Sequence, residues 1–277
     1  MGWHAGSDNV KNLVEWTIYD GEYGADISAI STFHNVYEEF TKEDFGTDEN
    51  YVYDKRGFNL VFKQMADELN AISKRYKESY VDPMTENGPR GIFLNHRVTQ
   101  INYWNNMVSV VAQNNSTGEA FMFNGDVVVC TTSVGVVKAG LMEFNPPLPQ
   151  WKLDAFNDIE MANWIKIFLI FDTKWWSDEN EYIFVANERK GTYPIFKPLV
   201  SDCGQNLVMA YVSGDESRRI ERTDPEQVKN EICAHLYAAF ADEYSAEDLR
   251  PRAIHITKWD TDPRFMGSYS FLRERKF

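Results

Sequence analysis

Apolar positions recur along this chain with two different periods, and the places where one gives way to the other predict its elements. Residues 8–19 read as a short amphipathic helix, capped by Asp8 or Asn9, with Val10, Leu13, Val14 and Ile18 at helical spacing. The adjoining DGEYGAD reads as a turn. In RGFNLVFKQMADELNAISKRY, Phe58, Val61, Phe62, Met65 and Leu69 share one face, so a helix is expected after Gly57. The period then shortens to two. Strands are expected at Gly91–Leu94, Val98–Trp104, Met107–Gln113, Glu119–Phe123 and Val127–Thr131, with turns at NNSTG and NG, as in a meander feeding a buried strand. Beyond NPPLPQW a helix is expected at Gln150–Ile159, then strands at Lys166–Phe171, Tyr182–Ala186 and Leu207–Val212. Asp224-Pro225-Glu226 is a strong helix start, and Val228, Ile232, Leu236 and Phe240 continue its apolar face. A last strand is expected at Arg252–Lys258. The order is neither a regular βαβα alternation nor a sandwich, so the fold class is α/β in the mixed α+β sense, with mixed sheets covered by helices.

Composition narrows the function. With 277 residues, 43% of them apolar, the chain can build one large domain or two smaller ones. Its apolar runs, Ile167–Phe171 and Val127–Cys130 among them, fall far short of the roughly 20 residues a membrane-spanning helix needs. Cys130, Cys203 and Cys233 are odd in number and widely spaced, as expected of core or free thiols. The five histidines show no HExxH spacing, so no metal site is expected. A net charge of −14 disfavours a nucleic-acid partner; it is compatible with a polycationic ligand and equally with a merely soluble surface.

Two stretches carry candidate chemistry. In NWIKIFLIFDTKWW, Lys166 interrupts an apolar strand whose neighbours on both faces are apolar, as in a strand buried between layers. Burial disfavours the charged form of a lysine, which makes Lys166 a proton-transfer candidate; alternatively it begins the strand and extends its ammonium to solvent. In WDTDPRFMGSYS, Gly267 allows close backbone approach, and Trp259 and Tyr269 can wall a ligand or simply turn a core corner.

Taken together, YVYDKRGF at 51–58, LNHRVTQI at 94–101, VVVCTTSVGVVKAGLMEFNPPLPQWKLDAF at 127–156, NWIKIFLIFDTKWW at 163–176, SGDESRRIE at 213–221 and WDTDPRFMGSYS at 259–270 form an ordered set. In that order the chain resembles the flavin-containing amine oxidases, and among them the plant-type polyamine oxidases. The resemblance implies FAD as cofactor and oxidation of polyamines of the spermine and spermidine kind, by hydride transfer to flavin, with reoxidation by oxygen and release of peroxide. It implies Lys166 as the catalytic lysine holding a water at the flavin, Glu22, Trp164 and Tyr269 at the substrate, and Val98 and Trp259 at the cofactor. It also implies discontinuous domains, with 1–50 and 151–250 in the substrate domain and 51–150 and 251–277 in the FAD-binding domain.

The chain departs from the family pattern in two respects. Trp164 stands where a plant-type member carries a tyrosine, so a hydroxyl is lost at the substrate. The family's GxGxxG turn, whose helix N-terminus binds the pyrophosphate, does not occur in this sequence, and its second flavin segment beyond GSYS is likewise not found. The expectation is therefore an internal part of such an oxidase. Two alternatives stand beside it: an oxidase of other amines, including monoamines or methylated lysine, and a non-catalytic module that binds polyamines or a protein.

Overall fold

The computed structural model describes residues 7–32, 54–79, 92–199 and 205–274, without the side chains of Ser7 and of 72–79. Cys203, His4, His34, residues 51–53 of YVYDKRGF and Gly91 lie outside the described residues. The chain divides into two compact units, one made of Met1–Phe40, Cys130–Leu141 and Pro149–Phe277, the other of Thr41–Val129 and Met142–Leu148.

The first unit opens with helix α1 (Ser7–Glu15), which runs into a wider π-helical turn (Trp16–Asp20) and a last turn, α2 (Gly21–Tyr23). This corrects the expected turn at DGEYGAD, whose first residues are helical. The extra residue in the π-helical turn also shifts the face that is buried: Leu13, Trp16 and Asp20 point inward, while the expected core residues Val14 and Ile18 are exposed. Lys190 explains the buried Asp20, since its Nζ lies 2.9 Å from that carboxylate and also reaches Glu15 at 2.7 Å and Asp26 at 3.1 Å. Burial nevertheless outweighs the lysine and pushes the Asp20 carboxyl up.

In the second unit helix α3 (Asn59–Ser79) forms as expected, but its apolar face of Phe58, Val61, Phe62, Met65 and Leu69 is exposed. A four-stranded sheet comes next, in the order β3-β2-β1-β4, from β1 (His96–Trp104), β2 (Met107–Asn114), β3 (Ala120–Gly125) and β4 (Glu143–Asn145). The strand expected at Val127–Thr131 does not form: Val127 and Val129 are each 80% exposed, and no neighbouring strand among the described residues pairs with them. A β-rich apolar run specifies a strand only where a partner edge offers its hydrogen bonds.

Helices α4 (Val134–Lys138) and α5 (Gln150–Asp158) return the chain to the first unit, followed by β5 (Ile159–Ala162) and β6 (Trp164–Phe171). Next come β7 (Ile183–Phe184), β8 (Ile195–Leu199), β9 (Asn206–Ser213), α6 (Gly214–Glu221), α7 (Pro225–Phe240), β10 (Ala253–Ile256) and β11 (Tyr269–Leu272). The main sheet is antiparallel throughout, ordered β10-β6-β9-β8-β7, and β5 pairs separately with β11. Helix α7 starts as the sequence predicts, with Asp224 Oδ1 accepting from the N–H groups of Glu226 and Gln227. Its Val228, Ile232 and Leu236, with Ile220 of α6, cover one face of the sheet against Ile165, Ile167, Leu169 and Phe171 of β6 and Val208, Ala210 and Val212 of β9.

His235 of α7 is buried under this core. Its Nε2 lies 3.1 Å from the Tyr193 carbonyl and its Nδ1 3.0 Å from the Asn187 amide nitrogen. The pairing fits the neutral ring with the proton on Nε2, and burial pulls its pKa below the ordinary 6.5. A folded pKa below the unfolded one means that the unfolded chain binds the extra proton. The stabilisation is therefore full above about pH 6.5 and is lost as pH falls through the folded value. The urea midpoint should drop between about pH 7.5 and 5.5, and His235→Gln should flatten that drop.

Candidate functional site

Strand β6 alternates strictly: Ile165, Ile167, Leu169 and Phe171 are buried, while Trp164, Lys166, Phe168 and Ile170 are only half-buried. This corrects the expectation of a strand sealed on both faces. A period of two in burial arises because helices cover one face of an antiparallel sheet, and the second face is left partly open. Lys166 stands on that open face. Pairing register puts Tyr211 of β9 directly opposite it, with Ile195 of β8 beyond, and in the next row His255, Phe168, Met209 and Lys197.

The backbone of Lys166 is held from the far end of β10. Its N–H donates to Thr257 Oγ1 at 2.9 Å, the Thr257 N–H donates to the Lys166 carbonyl at 3.0 Å, and the threonine hydroxyl lies 3.2 Å from the same carbonyl. Its ammonium lies over the Trp164 ring, 5.6 Å from the centroid, within the range of a cation–π contact. The other lysine of this face, Lys197, is 6% exposed; its Nζ donates to the Tyr182 hydroxyl at 2.8 Å and sits 4.5 Å from that ring's centroid. Sequence reasoning did not single it out, and its environment is that of a buried structural lysine.

Four of the other expected residues hang from one frame built around Ala162 and Asn163. Asn163 is fully buried; its N–H donates to the Gly24 carbonyl at 3.1 Å, and its carbonyl accepts from Gly214 N–H at 2.8 Å. The Gly24 turn carries Glu22, an exposed side chain whose backbone carbonyl accepts from the Tyr269 hydroxyl at 2.9 Å. Tyr269 pairs with Ala162 across β11 and β5. Burial and then the Glu22 charge push its phenol above the usual range. The Asn163 amide donates to Glu221 Oε1 at 2.9 Å, and that oxygen also accepts from the N–H groups of Trp259 at 3.0 Å and Asp260 at 3.1 Å. Glu221 Oε2 accepts from Thr261 N–H and its hydroxyl, both at 2.9 Å. Trp259 thus has a fixed backbone, and its ring meets Phe265 edge-on at 5.1 Å and packs against the main core.

The structure therefore brings Lys166 to Trp164 and Glu22 to Tyr269, and one carboxylate ties Trp259 to Asn163, the neighbour of Trp164. Val98 belongs to the other unit, where it is half-buried in β1 opposite Ala112, beside a register shift. Glu221 and Asn163 are the residues that sequence reasoning missed as a frame. Both lie in stretches noted for their resemblance, and the available signal was a polar residue at the margin of an apolar element, which local pattern assigns to the surface. Burial alone would raise the Glu221 carboxyl, but the N–H groups of Trp259, Thr261 and Asp260 and the Asn163 amide hold it below the ordinary 4.5.

Gly24 is constrained by this frame. Its φ is +65°, and a Cβ there would lie 2.7 Å from the Tyr269 hydroxyl and 3.0 Å from the Ala162 Cβ. Gly24→Ala should destabilise the protein by about 2–3 kcal/mol in urea melts and break the Tyr269 bond to Glu22. A melt unchanged from the parent would show that the turn yields freely.

Comparison with known proteins now defines the class. The model of the flavin-containing amine oxidoreductases matches residues 7–276. The chain belongs to this family, whose members are FAD-dependent oxidoreductases. Polyamine oxidase 7 of Oryza sativa subsp. japonica is 31% identical over 267 residues, covering 95% of this chain and 52% of that protein. Polyamine oxidase 1 of Zea mays is also 31% identical, covering 94% of this chain and 49% of its own length. The chain thus spans about half the length of the curated relatives it matches. Among solved structures, a double mutant of putrescine oxidase superposes with TM-score 0.66 at 16% identity, covering 96% of this chain and 53% of that one. Cyclohexylamine oxidase from Brevibacterium oxydans gives 0.64 at 15% identity, covering 97% and 54%. These likenesses show the mixed α/β amine oxidase fold.

The open face of the main sheet suits the ring end of FAD, since it offers an ammonium beside an indole, with further aromatic side chains in the adjoining row. For the pyrophosphate the sequence offers no GxGxxG turn.

Proposed function

We propose that this chain builds the amine-oxidising face of an FAD-dependent oxidase of polyamines or related amines. The observation that carries this reading is Lys166, an ammonium on the open face of β6, pinned through its backbone by Thr257 and seated over Trp164. FAD, when bound, would supply the redox chemistry, namely oxidation of the amine by hydride transfer with reoxidation by oxygen and release of peroxide. The chain's own residues would do the rest. Lys166 would hold a proton and a water at Nζ, Trp164 and Tyr269 would bound the aliphatic carbons of the substrate, and the Glu22 carboxylate would attract a distant ammonium. Trp259 and Val98 would face the cofactor. We assign 1–50 and 151–250 to the substrate domain and 51–150 and 251–277 to the flavin domain. Homology to polyamine oxidases supports the choice of amine.

The test is the visible spectrum of the purified chain after incubation with FAD and gel filtration. A retained flavin band that bleaches with spermine under anaerobic conditions is the expected result. A retained band that bleaches only with monoamines would favour an oxidase of other amines. Failure to retain flavin together with tight spermine binding would favour a non-catalytic module.

A further inference from the structure

The amine-oxidase reading leaves Tyr211 without a task, although the sheet register sets it directly opposite Lys166. Its ring lies 4.8 Å from the Trp164 ring, centroid to centroid, and is inclined to it by only 32°, so the two overlap as a tilted, offset stack and form one aromatic patch. Both side chains are half-buried on the open face, and the Lys166 ammonium lies over the same indole. Cation, indole and phenol therefore form one corner contributed by two adjacent strands.

From this geometry we infer that Tyr211 is a specificity-determining residue for the amine substrate, which forms with Trp164 the wall along which the methylene chain of a polyamine lies. The inference rests on the amine-oxidase reading and deepens it. The ammonium of Lys166 repels a second cation placed beside it, so the substrate nitrogen at this corner is neutral while its methylenes contact the rings. Remaining ammonium groups of a polyamine lie further along the chain. An aromatic wall favours long aliphatic amines over short ones, because each additional methylene finds apolar surface. Tyr211 also supports Trp164 from one side, so loss of its ring removes wall area and frees the indole together.

The experiment is binding of spermine and of butylamine by isothermal titration, with saturation-transfer NMR on the spermine methylene protons, for the parent chain, Tyr211→Val, Tyr211→Phe and Lys166→Met. Valine suits a half-buried strand position, and phenylalanine keeps the ring if valine perturbs folding. The expected result is that Tyr211→Val weakens spermine about fivefold or more, with loss of methylene transfer and little change for butylamine, while Tyr211→Phe stays within about twofold of the parent. If Tyr211→Val binds spermine like the parent while Lys166→Met alters binding, the inference is overturned and the amine-oxidase reading stands. If the parent chain binds no spermine, both are overturned.

Discussion

Glu221→Ala is expected to lower the melting temperature of the protein by roughly 6–12 °C, the shift that about 3 kcal/mol produces in a domain of 150–250 residues. The size comes from what one carboxylate holds. Glu221 is 2% exposed and accepts five hydrogen bonds, from Asn163, Trp259, Asp260 and twice from Thr261. Removing it strands three backbone N–H groups and a buried amide, each of which costs about 1–3 kcal/mol if left unpaired; relaxation recovers part of that total. Because these donors hold its pKa below 4.5, the unfolded chain binds the proton more readily in acid. Its stabilisation is full above the ordinary carboxylate range and is lost as pH falls through the folded value. Glu221→Gln should therefore cost less than alanine and should flatten the acid limb of the stability curve. A variant whose melt and acid limb both match the parent would show that the Trp259 segment holds itself in place.

Lys166→Met should leave FAD retention and the melting temperature close to those of the parent, yet slow amine-dependent oxygen consumption by on the order of 10²-fold. Methionine matches the lysine stem and keeps a half-exposed strand position filled, so folding is spared; only the ammonium is removed. The backbone bonds to Thr257 persist in the variant because they involve no atom of the lysine side chain. Thus a slowed reaction would report the Nζ group itself. Unchanged oxygen consumption in a flavin-loaded variant would remove Lys166 from the chemistry and with it the observation on which the functional reading rests.

Within its own windows, the chain dictates most of its elements. The run of isoleucines and aromatics in WIKIFLIF is enough to make β6, the Asp224-Pro225 start is enough to begin α7, and the apolar stripe after Gly57 is enough to make α3. Each rests on neighbours within about one turn or two strand positions, a range that side-chain periodicity spans. The same windows misjudge faces. They place Ile18 in the core, where the π-helical turn puts Asp20 instead, and they make a strand of Val127–Thr131, which has no partner edge among the described residues.

The candidate site was visible as a set of residue types and resembling stretches, and its assembly was not. Asn163 meets Glu221 across 58 positions, Glu22 meets Tyr269 across 247, and Lys166 meets Thr257 across 91. Whether Lys166 lies between two layers or on an open face depends on which side of the sheet α6 and α7 cover, a matter of tertiary packing. Sequence by itself determined the local periods and the polar residues available to act. The tertiary structure alone decided which of them meet, because a hydrogen bond between distant residues forms only when the whole fold returns both to one place and excludes the water that would otherwise satisfy them.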